Sequence, residues 1–217
     1  MTTQALSLFV SETIGTVSAE CNIPENAYCV LTLAHGAGAN MQHEFMVALS
    51  ESLAEKGIAT IRFNFPFMEG KKGRPDTPAT AYKAIDAAVL KARELFSGLP
   101  LFVSGKSFGG RMSSQYLALH HSENVKGIIF YGFPLHSPGK PSVERAEHLK
   151  EVKVPLLFLQ GSRDEFATWE LIKSVCDELS LATLVEIEGA NHAFKAGKKN
   201  VIEVLVEAIQ NWILKVM

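Results

Sequence analysis

Apolar positions along the chain follow two alternating rhythms. Short, nearly continuous apolar runs fall at residues 29–34, 58–63, 101–104, 127–131, 154–159 and 183–187, the pattern of strands buried on both faces. Between them, residues 44–56, 79–96, 107–119, 169–179 and 201–216 repeat apolar side chains three and four apart, which lays them along one stripe of an amphipathic helix. Strand and helix thus alternate. This predicts right-handed crossovers and a mostly parallel sheet covered on both faces, with ligands at the carboxyl ends of the strands. The first twenty residues depart from the rhythm: 6–10 and 14–20 read as a β-hairpin turned near Ser11-Glu12-Thr13, an antiparallel edge on the larger sheet. The expected architecture is therefore an α/β three-layer sandwich with an N-terminal antiparallel edge hairpin, forming one domain over residues 1–217.

Two stretches carry neither rhythm, and both leave the carboxyl end of a strand. Residues 68–78, with Lys71, Lys72 and Arg74, read as a solvated basic loop. Residues 132–151, with Phe133, Pro134, Leu135 and His136, are too few for a large lid. A minimal cap, or none, and a fairly open site are expected.

Composition narrows the class of partner. Hydrophobic content of 47%, charged content of 20% and a net charge of −2 describe a soluble globular protein with no electrostatic case for nucleic acid. Cys21, Cys29 and Cys176 lack metal-ligand or Cys-x-x-Cys spacing, so they read as reduced thiols of a cytoplasmic protein. The amino terminus has no basic segment ahead of an apolar one, and no window nears eighteen uninterrupted apolar residues. Neither secretion nor a membrane span is expected.

The chemistry centres on Gly105-Lys106-Ser107-Phe108-Gly109-Gly110, which follows a predicted strand and opens a predicted helix. In Gly-x-Ser-x-Gly the serine sits on a strained strand-to-helix turn, where side chains two positions either way would collide with neighbouring backbone. Ser107 needs a general base to become a competent nucleophile. His192, in Gly189-Ala190-Asn191-His192-Ala193-Phe194 past the last predicted strand, is the candidate, with His136 a weaker rival on the same rim. His43, His120, His121 and His148 read as helix-surface or helix-end residues. Asp164, after the run 155–159, would accept the Nδ1 hydrogen of His192, fix its tautomer and stabilise the imidazolium. An Asp before a helix is also a good N-cap, and Glu165 is an alternative acid one residue on.

The turn His35-Gly36-Ala37-Gly38-Ala39-Asn40 follows another strand and supplies a second backbone donor for an oxyanion. The donors are assigned to the N–H groups of Phe108 and Ala37, with Gly38 as the alternative to Ala37. His35 reads as a brace for this turn. Candidate substrate contacts are His35, Arg62, Lys106, Arg111, Phe133 and His136. Arg62, Lys106 and Arg111 could steer an acidic substrate or make structural ion pairs.

Two rival motifs fail on spacing. Gly105-Lys106-Ser107 imitates the end of a phosphate-binding loop, but that motif needs a Gly where Pro100 stands. Gly36-x-Gly38 imitates a dinucleotide fingerprint, but Met41 replaces its third Gly. No metal or organic cofactor is called for.

The order Ser107, Asp164, His192, with the elbow and the His-Gly turn, resembles the α/β-hydrolase fold over nearly the whole chain, and its small lidless form resembles the dienelactone-hydrolase-like branch. Ala34-His35-Gly36-Ala37-Gly38, Arg62-Phe63-Asn64-Phe65-Pro66 and Gly105-Lys106-Ser107-Phe108-Gly109-Gly110-Arg111 are similar to a group that includes testis-expressed protein 30, itself related to a subunit of an animal histone-acetyltransferase complex. The elbow of that group often carries Met where this chain has Phe108, a change of packing more than of chemistry. The combined expectation is a serine hydrolase that cleaves a small-molecule carboxylic ester or thioester through an acyl-enzyme on Ser107. Two alternatives use the same fold: a non-catalytic scaffold for a protein partner, and an acyltransferase with the same three residues. Fold kinship alone does not choose among them.

Overall fold

The computed structural model describes residues 1–70, 73–120 and 124–217; Lys71, Lys72 and His121 lie outside them. Among the described residues fifteen elements follow one another, and thirteen of them stand in the order that the hairpin and the alternating rhythm predict. The hairpin comes first, β1 (Thr2–Ser11) and β2 (Gly15–Ile23), followed by β3 (Cys29–Ala34), α1 (Glu44–Glu55), β4 (Ile58–Phe63), α2 (Pro66–Glu69) and α3 (Pro78–Leu95). Then come β5 (Leu101–Lys106), α4 (Phe108–Leu119), β6 (Val125–Tyr131) and a 3-10 helix (Glu144–Glu151). β7 (Leu156–Gly161), α5 (Trp169–Asp177), β8 (Ala182–Ile187) and α6 (Val201–Val216) complete the chain.

All eight strands join one sheet in the order β1-β2-β4-β3-β5-β6-β7-β8. β1 pairs antiparallel with β2, and β2 antiparallel with β4, with Cys21 opposite Ile61. From β4 to β8 every pairing is parallel. The register brings strand ends to one rim: Ala34 lies opposite Gly105, Lys106 opposite Tyr131, and Gly161 opposite Ile187. Loops after β3, β5, β6, β7 and β8 therefore emerge together.

Each buried strand serves two cores, because successive side chains point to opposite faces. On one face Leu31, Leu33, Phe102, Ile129, Tyr131 and Leu157 pack with Leu49 of α1 and Leu205, Ile209 and Trp212 of α6. On the other, Val30, Val103, Ile128, Phe130 and Phe158 pack with Ala84 and Ala88 of α3, Met112 of α4 and Ile172 of α5. Unbroken apolar runs in the sequence follow from this double burial.

Three details differ from the sequence reading. Ser107 is not the first helical residue; it stands at φ 50 and ψ −112, and α4 starts at Phe108. The irregular stretch after β4 is preceded by α2, which Pro66 opens with its fixed φ and Asp76 supports by accepting the Phe67 N–H at 2.9 Å. The stretch after β6 contains the 3-10 helix, docked on α4 where Ser114 Oγ meets His148 Nε2 at 2.7 Å.

Candidate active site

Glycines in the first turn of α4 allow the helix to start almost on top of the sheet. A Cβ on Gly109 would stand 2.5 Å from the carbonyl oxygen of Ala34 and 2.6 Å from that of His35, and one on Gly110 would stand 2.6 Å from the Gly105 oxygen. These are clashes with backbone, which cannot swing away. Their absence lets the chain reverse within one residue. Ser107 occupies that residue with a positive φ, a conformation that costs a non-glycine residue about 1–3 kcal/mol and persists only where the surroundings enforce it.

Ser107 Oγ lies 2.8 Å from His192 Nε2. On the far side of the ring, His192 Nδ1 lies 2.9 Å from Asp164 Oδ1 and 2.8 Å from Asp164 Oδ2. Asp164 is itself fixed: Oδ2 accepts from Gln160 Nε2 at 2.7 Å, and Oδ1 accepts from the Phe166 N–H at 2.8 Å. The carboxylate is buried and the imidazole largely so. Nδ1–H donating to a carboxylate leaves Nε2 free to accept from a hydroxyl, the tautomer that a general base requires. The ring of Phe166 covers the imidazole, with centroids 4.3 Å apart.

The turn after β3 comes against the elbow. A Cβ on Gly36 would make ordinary contacts with Ser107 Cβ and the Lys106 backbone, at 3.8 and 3.7 Å. Among the described residues, the N–H groups of Phe108, Ala37 and Gly38 have no hydrogen-bond partner. His35 holds this turn from within: it is buried, its Nδ1–H donates to the Gly36 oxygen at 2.8 Å, and its Nε2 accepts the Phe65 N–H at 3.1 Å. Burial lowers its pKa from 6.5 to about 4.

A cavity of about 370 Å³ opens over Ser107 and His192. Its walls are mainly apolar, with Ala37, Ala39, Phe45, Met46, Phe166 and Ala193, and His43, Lys106 and Glu165 join Ser107 and His192 as polar lining. Among the described residues no cluster of His, Cys, Asp or Glu is placed to hold a metal ion.

Other residues singled out in the sequence stand elsewhere. Arg62 is buried beneath the rim, ion-paired with Glu20 and donating to the Met41 oxygen at 2.8 Å; the structure gives it a structural ion pair, not a place in the cavity. Phe133 is buried among Phe130 and Phe158. His136 is buried beside the Ser137 oxygen at 3.0 Å and the Thr168 N–H at 3.4 Å. Arg111 lies outside the cavity wall. Glu165 reaches the cavity, but its Oε2 meets the His192 main-chain N–H at 3.5 Å while Asp164 takes the ring. Lys106 lines the cavity and also donates to the His192 carbonyl oxygen.

Sequence reasoning missed Gln160 and Gly132. Gln160 looks like one more residue of a buried strand, yet it links Asp164 to the Phe133 N–H through its two amide ends. Gly132 has φ +69, and a Cβ there would stand 3.3 Å from Asp164 Oδ2 and 3.4 Å from His192 Nδ1. A lone Gly directly after a strand was the available signal.

A family model described as an alpha/beta hydrolase domain matches residues 27–214. A curated relative, the proline iminopeptidase of Thermoplasma volcanium, is 31% identical over 109 residues, covering 50% of this chain and 36% of that protein. The matched stretch thus spans about a third of that relative's length. Among solved structures, an alpha-beta serine hydrolase homologue from Coxiella burnetii superposes with a TM-score of 0.78 at 22% identity, covering 97% of this chain and 98% of that one. Dienelactone hydrolase from Anabaena variabilis does so with a TM-score of 0.77 at 20% identity, covering 99% and 97%. At these identities the likeness to solved structures is one of fold.

Proposed function

We propose, from the premise that this chain belongs to the alpha/beta hydrolase family, that it is a serine hydrolase acting on a carboxylic ester or thioester. The observation that carries this reading is the continuous contact from Ser107 Oγ through His192 to Asp164, at 2.8 to 2.9 Å throughout. Ser107 Oγ attacks the carbonyl carbon while His192 Nε2 takes its proton. Asp164 stabilises the imidazolium, and the N–H groups of Phe108 and Ala37, or Gly38 in its place, receive the oxyanion. The imidazolium then protonates the departing alcohol or thiol. Water, activated by the same nitrogen, releases the acid and restores Ser107.

The apolar cavity suits an uncharged acyl group, and the name of the Anabaena neighbour, dienelactone hydrolase, denotes an enzyme that opens a cyclic ester. The motif resemblance to the group containing testis-expressed protein 30 belongs to this proposal. So does a reducing, cytoplasmic setting, for which Cys21, Cys29 and Cys176 are free and buried, each pushed up to about 12 by burial. Among the described residues no helix is long and apolar enough to cross a membrane.

The test is intact-mass analysis after exposure to a fluorophosphonate, for wild type and Ser107→Ala, with p-nitrophenyl acetate turnover followed in parallel. A single adduct and turnover, both lost in the variant, are expected. A folded wild-type protein that takes no adduct would overturn the reading in favour of a non-catalytic scaffold. Product analysis with added alcohols or thiols separates hydrolysis from acyl transfer.

A further inference from the structure

The base of this site rides on a loop with no strand or helix between Ile187 and Val201. Internal bonds shape it: Asn191 Oδ1 accepts the N–H groups of Ala193 and Lys195, and the Phe194 N–H donates to the Asn191 oxygen. None of these fixes the loop to the element that bears the nucleophile. Lys106 does. It ends β5, directly before Ser107, and its Nζ donates to the main-chain oxygen of His192 at 2.5 Å. The same ammonium lies 5.1 Å from the centre of the Phe194 ring, near enough for a cation–π attraction. Among the described residues Phe194 is one of two non-glycine residues with positive φ, the other being Ser107. Its ring stacks on Phe45 at 5.5 Å, so an unfavourable backbone conformation is held where the ring supports the cation. Around Gly132, a Cβ would touch Lys106 Nζ at 3.4 Å together with Asp164 Oδ2 and His192 Nδ1. The ammonium therefore stands beside the Asp164–His192 pair.

We propose that Lys106 is a positioning residue for the base: it clasps the main chain of His192 from the nucleophile's own strand and sets a positive charge beside the imidazole and its carboxylate. This rests on the serine-hydrolase reading of the site. The titratable groups facing the ammonium are Asp164 and Glu165 from the loop after β7 and His192 from the loop after β8, with His43 at the start of α1 lining the same cavity. Burial lowers the Lys106 pKa to about 8, while Asp164 and Glu165 act to raise it, so the side chain is cationic at neutral pH. The carboxylates of Asp164 and Glu165 thus hold the cation that holds the His192 main chain.

A side chain present only to stabilise the fold would behave differently from one that positions the base. Lys106→Met removes the cost of burying an ammonium together with the donor to the His192 oxygen, two opposed effects that should leave its Tm within a few degrees of wild type. It should nevertheless lose about tenfold or more in kcat, with KM little changed, because the His192 loop is released from the elbow. Amides of the His192 loop, followed by NMR, should exchange with solvent faster than in wild type. Lys106→Arg, which keeps a cationic donor, should return both kcat and loop exchange toward wild type. Wild-type kcat with unchanged loop exchange in Lys106→Met would overturn the proposal. So would a loss of kcat that follows a loss of Tm, or failure of that variant to fold. Because hydrogen exchange and Tm require no substrate, they judge Lys106 even if the wild type hydrolyses no ester, a result that would count against the serine-hydrolase reading alone.

Discussion

His35 and His192 each follow the carboxyl end of a parallel strand, on the same rim, yet their surroundings assign them opposite work. Both ring nitrogens of His35 are occupied by main-chain groups, the Gly36 oxygen and the Phe65 N–H, and the ring packs edge-on against Phe65 and Phe67. It has no lone pair or proton to exchange with a substrate. His192 spends one nitrogen on a carboxylate and points the other at a hydroxyl. Position at the rim is thus insufficient for chemistry. What separates the two is whether the second nitrogen remains available.

The largest expected effect tests the available nitrogen. His192→Ala should lower kcat on an activated ester by about a million-fold, the scale on which removal of a member of a serine triad acts when the others cannot compensate, with a Tm close to wild type because the ring lies at the rim. His35→Gln should do the reverse. It keeps an acceptor for the Phe65 N–H and leaves Ser107 and His192 untouched, so turnover at pH 7.5 should stay within a few-fold of wild type. If His35→Gln matched His192→Ala in activity with an unchanged Tm, the distinction between the two rings would collapse.

Acid sharpens the same comparison through stability. The His35 pKa falls from 6.5 to about 4 on folding, so between those values the unfolded chain holds more protons than the folded one and stability declines as pH falls. The contribution is fully present above 6.5 and gone once the pH passes below about 4. From pH 7.5 to 5.0, wild type should lose roughly 2 kcal/mol through this residue, a loss absent from His35→Gln. His148, also lowered to about 4 by burial and by Arg111, is common to both proteins and cancels. Urea denaturation of both proteins at the two pH values gives the difference, and equal losses would show that His35 does not titrate on unfolding.

The sequence revealed what depends on local pattern. The five buried strands β3 to β7 and five helices were legible because double burial forces continuous apolar runs and single burial forces a stripe, whereas the run at 183–187, read as buried on both faces, is the half-exposed edge strand β8. Ser107, Asp164 and His192 were legible as candidates because each stands just past such a run, and the structure brings the three side chains together. Partnerships between distant residues were not. Arg62 looks like a rim cation until Glu20, 42 residues away, closes on it from the hairpin. Gln160 and Gly132 carry no local mark of their contact with Asp164. Lys106 was visible as a charge beside Ser107, but its target is a main-chain oxygen 86 residues on, and a carbonyl leaves no trace in side-chain identity.

The smallest expected effect extends the comparison to the cations. Lys106 faces the cavity and touches the His192 loop, whereas Arg111, a turn beyond Ser107 on α4, lies outside the cavity wall, with its buried Nε unpartnered among the described residues. Burial lowers its pKa, and the neighbouring positive charge of Arg145 lowers it further. A side chain placed in this way changes the general field at the site but offers no direct contact to a bound carboxylate. Arg111→Gln should therefore change kcat/KM by the same factor, within about twofold, for a neutral acetate ester and for a succinate half-ester of the same alcohol. A loss confined to the succinate ester would move Arg111 from the scaffold to the substrate and show that availability, the property dividing the two histidines, had been misjudged for this cation.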